Sequence, residues 1–303
     1  MFTEEYRINY YLDNLQEQTV SYNKNMEDFC FDKIFITNYN DLSNNLLNNN
    51  YFIDIKKYVS NVNSNKYSNN FLCIFGDTIN HDNNYPVFTK VRKINDRYNK
   101  ILLKLNSNYH CHMLKDIKKI DIPFSLKNNK LLWRGTLTGK HVHGLRHSIV
   151  KKFQNHANKN IDIKFYQSAK DMDTNGYNIV RKLSYVEQLE FKFIISIEGN
   201  DVATNLKWAL LSNSVVLMPE CKISSWFMED HLIPYIHFVP LNRDFEDLEE
   251  KYEWCLNHLK ECEQISKNAT LYMEQFMDED VEKRITTKVI ETYLDKISFV
   301  NLP

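Results

Sequence analysis

The residues best suited to chemistry in this sequence are polar and basic groups placed where apolar runs end. Gly199, Asn200 and Asp201 form one such break. They follow an apolar run that ends at Ile197, and they precede a helical pattern from Thr204 to Leu211. Because the first backbone N–H groups of a helix and its dipole favour negative charge, this break suits an anionic group such as a diphosphate.

A second set of candidates ends a predicted strand with the sequence KLLWRGT. Arg134 carries a permanent charge whose fork geometry suits phosphate, and Gly135 lets the backbone approach a ligand closely. Thr136 and Thr138 add hydroxyl donors. Arg146, in the first turns of the following predicted helix, can face the same anion. The structural alternative for Arg134 is an ion pair at the end of a strand.

A carboxylate that could act as a general base follows another predicted strand. The segment FLCIFGD ends in Asp77, and the end of a buried strand is a common position for a catalytic aspartate. The same residue could instead cap a turn or a helix, which the composition of the segment favours. Asp82 and His81, in the polar loop that follows, are rival candidates for the catalytic role.

Two further clusters suggest a metal ion, and both are better explained without one. His141, His143 and His147 have no acidic or cysteine residue placed to complete a ligand set. Asp171 and Asp173 have the spacing of a metal-binding acidic pair, but they fall in a polar loop, where this spacing often arises by chance. The sequence therefore predicts no bound metal.

The elements that must position these groups alternate between strands and helices. From Phe191 to Leu241, three apolar runs are separated by a polar turn, a helical pattern and an aromatic segment, Ser224 to Asp230, which is predicted to be a short helix. This order is typical of a parallel sheet, whose ligands bind beyond the carboxyl ends of its strands. The run from Asp280 to Ile297 predicts a terminal amphipathic helix.

The composition limits the possible classes of function. A chain of 303 residues forms one or two domains, and its formal net charge of −1 disfavours nucleic acid as a partner. The six cysteines form no CxxC pair. No apolar stretch approaches the roughly 20 residues of a membrane span, and the polar N-terminus is unlike a signal peptide. A cytoplasmic protein is therefore expected.

Four segments occur along the chain in a recognisable order: EQLEFKFIISIEGNDVATNLKWALLSNSVVLMPE, WFMEDHLIPYIHFVPL, DFEDLEEKYEW and KNATLYMEQF. Together they resemble glycosyltransferase family 90, and most closely its bacterial lipopolysaccharide-modifying group, which large DNA viruses also have. The resemblance is strong from Phe124 to Phe276 and weaker from Phe71 to Asn106, and it fails before about residue 60.

The resemblance implies an α/β protein of the GT-B class, in which two Rossmann-like domains face a cleft. The expected domains are an N-terminal acceptor and catalytic-base domain over 1–122 and a nucleotide-sugar-binding domain over 123–278. A C-terminal helix, within 279–303, is expected to return to the N-terminal domain and pack across it. The family transfers a sugar from a UDP-sugar with inversion and without a metal bound through an acidic pair.

The resemblance also implies roles for individual residues. The catalytic base would be Asp77, with Asp82 as the second choice. The donor-binding segments correspond to Arg134–Thr136 and to the turn and helix from Gly199 to Lys207, which include Thr204.

One position departs from the pattern of the family. In the protein O-glucosyltransferases, an arginine of the helix after the glycine turn contacts the diphosphate. Asn205 stands at the matching position here, with Lys207 two residues further on. The charge of the phosphates would then be neutralised by Arg134, Arg146, Lys207 and backbone amides.

The implied function is transfer of a hexose or pentose, such as glucose, from a UDP-sugar to a hydroxyl of a lipopolysaccharide-like or viral glycan or of a protein. The UDP-sugar is a co-substrate, and no cofactor is expected. One alternative is a degenerate module that binds a glycan or nucleotide without catalysis. Another is a scaffold whose aromatic residues, such as Trp226 and Phe227, contact a partner. The presence of both Asp77 and Arg134 favours the enzyme.

Overall fold

The chain divides into two compact units. A computed structural model describes residues 1–23, 34–38, 50–62, 70–76, 85–139, 144–166 and 176–302. The first unit is formed by Met1–His110, Lys222–Met228 and Gln275–Pro303, and the second by Cys111–Cys221 and Glu229–Glu274. The chain therefore passes from one unit to the other four times.

The described residues form strands and helices throughout both units. The strands are β1 (Gln18–Asn23), β2 (Ile34–Asn38), β3 (Asn70–Ile74), β4 (Val87–Thr89), β5 (Val91–Lys93), β6 (Lys100–Leu102), β7 (Asn128–Gly135), β8 (Ile161–Tyr166), β9 (Ile179–Val180), β10 (Phe191–Ile195), β11 (Val215–Met218), β12 (Ile223–Ser225), β13 (Val239–Pro240) and β14 (Ile297–Leu302). The α-helices are α1 (Glu4–Leu12), α2 (Asn50–Val59), α3 (Ser107–His110), α4 (Leu114–Ile120), α5 (Leu145–Phe153), α6 (Tyr185–Leu189), α7 (Leu206–Leu211), α8 (Leu248–Asn257), α9 (Leu259–Glu274) and α10 (Glu279–Lys296).

A parallel six-stranded sheet forms the centre of the second unit. Its strand order is β13-β11-β10-β7-β8-β9, and every neighbouring pair is parallel. β11 is buried along its whole length, and β10 is buried from its second residue onward. Strands buried on both faces have continuous apolar sequences, which is why these two could be predicted. The α/β class is thus confirmed, and the two-domain GT-B arrangement stays a prediction.

The main core of the second unit lies on the face of this sheet that packs against α5 and α8. β8 alternates between buried and half-buried residues, so that Ile163 and Phe165 point into the core beside Trp133 of β7 and Ile149 of α5. Tyr252 of α8 is buried in the same core. Each fully buried aliphatic or aromatic side chain of this kind stabilises the fold by roughly 1.5–3 kcal/mol.

The described residues of the first unit form three small sheets. A four-stranded sheet has the order β2-β3-β4-β6, β1 pairs with β14 in parallel, and β5 pairs with β12 in antiparallel orientation. The predicted terminal helix is present as α10, whose buried side includes Ile285, Val289 and Tyr293. The Tyr293 hydroxyl accepts a hydrogen bond from the Leu72 amide at 3.1 Å and donates one to the Pro86 carbonyl at 3.0 Å. This hydroxyl therefore connects α10 to β3 and to the residue before β4.

One prediction about the aromatic segment from Ser224 to Asp230 is wrong, and the structure also speaks against the scaffold alternative. Its first residues form strand β12 rather than a helix, because their backbone pairs with β5, about 130 residues earlier. A short 3₁₀ turn follows at Glu229–His231. Trp226 and Phe227 are buried, with 3% and 0% of their surface exposed, so they do not offer the partner-binding surface that a scaffold would need.

Two observations concern compartment and membrane. In the part of the chain that the structure describes, no helix is both long enough and apolar enough to cross a bilayer. Five of the six cysteines lie in that part, and all five are free thiols.

A buried ion pair fixes the entry to the central sheet. The Lys127 ammonium, just before β7, donates to the Asp121 carboxylate and to the Leu189 carbonyl, and both charged side chains are almost fully buried. Burial lowers the pKa of Lys127, although Asp121 opposes that shift. The second carboxylate oxygen of Asp121 accepts the Asn213 amide at 2.6 Å, so one side chain connects the segments before β7 and β11.

We expect Asp121→Ala to destabilise the second unit by about 3–5 kcal/mol, because it leaves the Lys127 charge buried without its counter-ion. Urea denaturation followed by circular dichroism measures this loss. Asp116→Ala is the matched control, since Asp116 pairs with Lys119 at the surface and should contribute less than about 1 kcal/mol. Equal losses of stability in the two variants would contradict the role of the buried Lys127–Asp121 pair.

Candidate functional site

The predicted donor-binding residues of the second unit lie along the carboxyl ends of β7 and β10 and at the beginnings of α5 and α7. In parallel sheets, this edge is where ligands bind. The ends of β10 and β11 are held together beyond the strands themselves, because the Ser196 amide donates to the Leu217 carbonyl at 3.0 Å.

Four of these residues form a group that we call the arginine cluster: Thr136, Thr138, Arg146 and Gly199. Arg146 Nη1 donates to Thr138 Oγ1 at 2.8 Å, and its Nη2 donates to the Ile197 carbonyl at 3.3 Å. The Thr136 and Thr138 hydroxyl oxygens are 3.1 Å apart. One guanidinium from α5 therefore bridges the ends of two neighbouring strands.

At Gly199, the Arg146 guanidinium occupies the space that a side chain would need. A Cβ atom built on Gly199 would lie 2.5 Å from Arg146 Cζ. Gly139 approaches the same residue from the other strand end, since a Cβ atom on it would lie 2.9 Å from Gly199 Cα, and its φ of +85° strains other residues. These two glycines allow the two chain segments to approach closely.

The rest of the Gly199 turn is held by local hydrogen bonds. The Gly199 amide donates to the Asp201 carbonyl at 3.0 Å, and the Asp201 side chain is buried. Asn200 and Thr204 are half-buried. Asn205 does not stand open to a ligand: its Nδ2 donates to the Ile195 carbonyl at 2.9 Å, and its Oδ1 accepts the Ser196 hydroxyl at 3.1 Å. Asn205 therefore fastens the beginning of α7 to the end of β10.

The other two predicted cations are held in ion pairs. Lys207 Nζ lies 3.1 Å from Glu229 Oε1, and both side chains are buried. Arg134 donates to the Asp162 carboxylate and carbonyl on β8, the arrangement named above as its structural alternative. In both cases the charge is balanced by a carboxylate of the protein.

The ion pair with Arg134 changes the pKa of the Asp162 carboxyl group. Burial alone would raise its pKa, but hydrogen bonds and charges from Arg134 and Lys164 outweigh burial and lower it below the ordinary value.

Gly135, the next residue of the motif, packs against Trp133, because a Cβ atom at this position would overlap the indole ring. The glycine is thus explained by core packing.

His147 is a site residue that the sequence indicated only as part of a histidine group. Its Nε2 is 3.1 Å from the Leu137 carbonyl, and its Nδ1 is 3.2 Å from the Tyr177 hydroxyl. With the ring proton on Nε2, His147 donates to the carbonyl that separates Thr136 from Thr138. His147 therefore positions the loop that contains Thr136 and Thr138.

The metal and base candidates fall largely outside the described residues. His141, His143, Asp171 and Asp173 lie there, and among the residues that the structure describes no group of three His, Cys, Asp or Glu could hold a metal ion.

Asp77 and Asp82 lie outside the described residues as well. The described chain stops just before Asp77, at Gly76, which has a φ of +96°.

A buried carboxylate at the same sheet edge was not identified from the sequence. Glu198 is 7% exposed, and its Oε2 lies 3.6 Å from Arg243 Nη2. A cavity of about 10 Å³, the space that one water molecule occupies, is lined by Ser196, Glu198, Cys221 and apolar side chains. Burial raises the pKa of the Cys221 thiol, and the negative charges of Glu198 and Glu229 raise it further.

The fold and site thus define an α/β protein with a cationic group at the carboxyl edge of a parallel sheet. Comparison with known proteins identifies its family. The sequence model of glycosyltransferase family 90 matches residues 103–299, and the chain belongs to that family.

Relatives occur in bacteria, viruses and animals. The chain is 34% identical to the O-glucosyltransferase LpsA of Dichelobacter nodosus over 209 residues, which are 69% of this chain and 62% of the relative. It is 32% identical to the uncharacterized protein 179R of Invertebrate iridescent virus 6 over 33% of this chain and 9% of that protein. It is 28% identical to the protein O-glucosyltransferase 2 of Danio rerio over 29% of this chain and 17% of that protein. The chain thus matches less than two thirds of the length of each of these relatives.

The two glycines of the site should respond differently to alanine. In Gly199→Ala the new methyl group meets the far end of a long, flexible side chain, that of Arg146, which can shift, so we expect the free energy of unfolding to fall by less than about 1 kcal/mol. In Gly139→Ala the methyl group meets backbone at a positive φ, and we expect a loss of about 1–3 kcal/mol. Urea denaturation measures both, and a larger loss for Gly199→Ala would refute the geometry.

The Arg134–Asp162 pair predicts a pH dependence. Because the folded protein lowers the pKa of Asp162, this residue adds stability above the ordinary aspartate pKa of about 4, and the contribution is lost as the pH falls through the lowered folded value. Asp162→Asn should therefore cost about 1.5–3 kcal/mol at pH 7, and this difference from the wild type should shrink towards pH 3. Parallel urea titrations at each pH measure the difference; one that grows towards pH 3 would contradict the sign.

Proposed function

We propose that this chain transfers a sugar from a UDP-sugar to an acceptor hydroxyl, with inversion at the anomeric carbon and without a metal ion. The arginine cluster at the carboxyl edge of the central sheet is the observation that carries this proposal. Membership of glycosyltransferase family 90 supports it.

The arginine cluster has the chemistry of a diphosphate site. Arg146 is charged at all pH values of interest, and its hydrogen bonds to Thr138 and Ile197 go to neutral oxygens. Phosphate oxygens can replace these acceptors and form stronger, charge-assisted hydrogen bonds. The Thr136 and Thr138 hydroxyls are placed to donate to the same group. The absence of a side chain at Gly199 lets the Arg146 guanidinium lie directly against the backbone at this edge.

The three predicted cations therefore have unequal roles in the proposal. Arg134 and Lys207 already balance Asp162 and Glu229, and using them for phosphate would leave a carboxylate without its counter-ion. We assign the main contact with the leaving diphosphate to Arg146, because its guanidinium lies between the ends of β7 and β10 beside the Thr138 hydroxyl. Arg134 and Lys207, in their ion pairs, would hold the sheet edge in shape.

The reaction also needs a base on the acceptor side. In an inverting transfer, the acceptor hydroxyl loses its proton as its oxygen forms a bond to the anomeric carbon. The bond from that carbon to the diphosphate breaks, and UDP leaves with the electron pair. On the resemblance to the family, we assign the base to Asp77, with Asp82 as the second choice.

The relatives suggest which donor to test first. Two of them are named as glucosyltransferases, so glucose is our first choice for the transferred sugar. The acceptor would be a hydroxyl of a lipopolysaccharide-like or viral glycan, or of a protein. The free thiols of the described cysteines favour a reducing compartment such as the cytoplasm.

The proposal is tested by measuring UDP release from a panel of UDP-sugars. The assay contains EDTA and is run with and without acceptors, which are simple glycosides and a serine peptide. We expect release with UDP-glucose or another member of the panel. Arg146→Met should slow it about 100-fold or more, because the leaving charge is no longer stabilised. Asp77→Asn should abolish transfer and leave donor binding within about twofold.

Arg181→Met is the matched control, since Arg181 is an exposed arginine of the same unit that pairs with Glu187. It should react at the wild-type rate. Binding of UDP-sugars without any release would indicate the non-catalytic module instead. Loss of release on adding EDTA would show that the metal-independent mechanism is wrong.

A further inference from the structure

Donor binding, as proposed above, would change one of the contacts that hold the arginine cluster together. In the structure, Arg146 Nη1 donates to Thr138 Oγ1 at 2.8 Å. A phosphate oxygen that replaces this acceptor removes a contact between α5 and residues 136–138, which we call the threonine loop. The hydroxyls of Thr136 and Thr138 can donate to the same phosphates only if the loop stays in place. A group other than Arg146 must therefore hold it.

His147, the next residue of α5, contacts the middle of the threonine loop through the backbone. Its Nε2 is 3.1 Å from the Leu137 carbonyl, which can only accept, so Nε2 carries the ring proton and donates. The diphosphate of a UDP-sugar is fully ionised at neutral pH and has no proton to offer this carbonyl. The bond from His147 to Leu137 therefore need not be exchanged when Arg146 turns to the ligand.

Tyr177 fixes the imidazole ring of His147. The Tyr177 hydroxyl is 3.2 Å from His147 Nδ1 and donates to it, because the ring proton is on Nε2. The rings of His147, Tyr177 and Phe165 also pack against one another, with their centroids 4.9–5.4 Å apart. Phe165, on β8, is fully buried. The direction of the Nε2–H bond is thus set by a hydrogen bond and by the packing of two rings.

Both ends of α5 are joined to the segments that take part in these contacts. At its beginning, the Gly144 amide donates to the Gly139 carbonyl, just after the threonine loop, at 3.1 Å. At its end, Gln154 Oε1 accepts the Asn178 amide, next to Tyr177, at 2.8 Å. The helix therefore holds the loop and the tyrosine in a fixed relation to each other.

We infer that His147 and Tyr177 are positioning residues for the donor diphosphate. Tyr177 orients the imidazole, the imidazole holds the Leu137 carbonyl, and the threonine hydroxyls keep their places when Arg146 exchanges one of them for a phosphate oxygen. Neither positioning residue touches the ligand. This inference rests on the proposed function.

Isothermal titration calorimetry with UDP, which every donor in the panel contains, tests this inference. His147→Phe keeps a ring beside Tyr177 and Phe165 but cannot donate to the Leu137 carbonyl. We expect the Kd of UDP to rise about 3- to 10-fold, the range of one neutral hydrogen bond. His147→Gln, whose amide can still donate to that carbonyl, should bind UDP within about twofold of the wild type.

A second background shows whether His147 acts through the threonines. In Thr136→Val/Thr138→Val no hydroxyl is left to position, while Arg146 is retained, so UDP should still bind measurably. Adding His147→Phe to this background should change the Kd by less than about twofold. If His147 only stabilised the fold, it would change the Kd by the same factor in both backgrounds, and equal factors would overturn the inference.

His156→Phe is the matched control. His156 lies just after α5 and pairs with Glu249, away from the threonine loop, so this variant should bind UDP as the wild type does. If His147→Phe does not fold, Tyr177→Phe takes its place, because it removes one hydroxyl and keeps the ring. It should raise the Kd of UDP about threefold.

The outcomes separate this inference from the proposed function. Wild-type affinity for UDP in His147→Phe, or in Tyr177→Phe where that variant takes its place, would overturn the positioning role and leave the proposed function standing. A wild-type protein that does not bind UDP would overturn the proposed function and this inference together.

Discussion

The close approach of two backbone segments at Gly139 and Gly199 is the constraint on which the candidate site depends. Only where both residues lack a side chain can the ends of β7 and β10 come this near, and only then can the Arg146 guanidinium lie against Gly199. The hydrogen bonds from Arg146 to Thr138 and Ile197 then join the two strand ends. A short-range steric requirement thus places a permanent positive charge at the edge of the sheet.

Charge at this edge is organised in pairs. Lys207 is buried with Glu229, Arg134 pairs with the half-buried Asp162, and Glu198 lies beside Arg243. A charge that leaves water without a counter-ion loses hydration at a large cost, so pairing is the condition for placing several charges at this edge. The result is a sheet edge whose shape is held by ion pairs, and for the transfer proposed above such preorganisation would lower the cost of reorganisation when charge develops.

Sequence reasoning succeeded where a local pattern determined the structure. The apolar runs that became β10 and β11 are buried on both faces, and such strands are recognisable from composition alone. The terminal helix α10 was recognisable from its apolar stripe.

It failed where distant residues decide the outcome. The residues of β12 form a strand because they pair with β5, and no property of the segment itself reveals that partner. The same limit applies to individual side chains. That Arg134 is neutralised by Asp162, that Asn205 bonds the Ile195 carbonyl, and that Glu198 is buried all depend on contacts across strands or turns.

The division of the chain between the two units has a consequence for the order of folding. The second unit is complete once residue 274 has left the ribosome, and its parallel sheet needs nothing from later residues. In the first unit, by contrast, Gln18 of β1 is paired with Ile297 of β14, almost the full length of the chain apart. Contacts of such long range are slow to form, and here they cannot form until β14 has been made. The residues of β1 are therefore made long before the strand with which they pair, and until β14 arrives a chaperone or a second nascent chain could capture them.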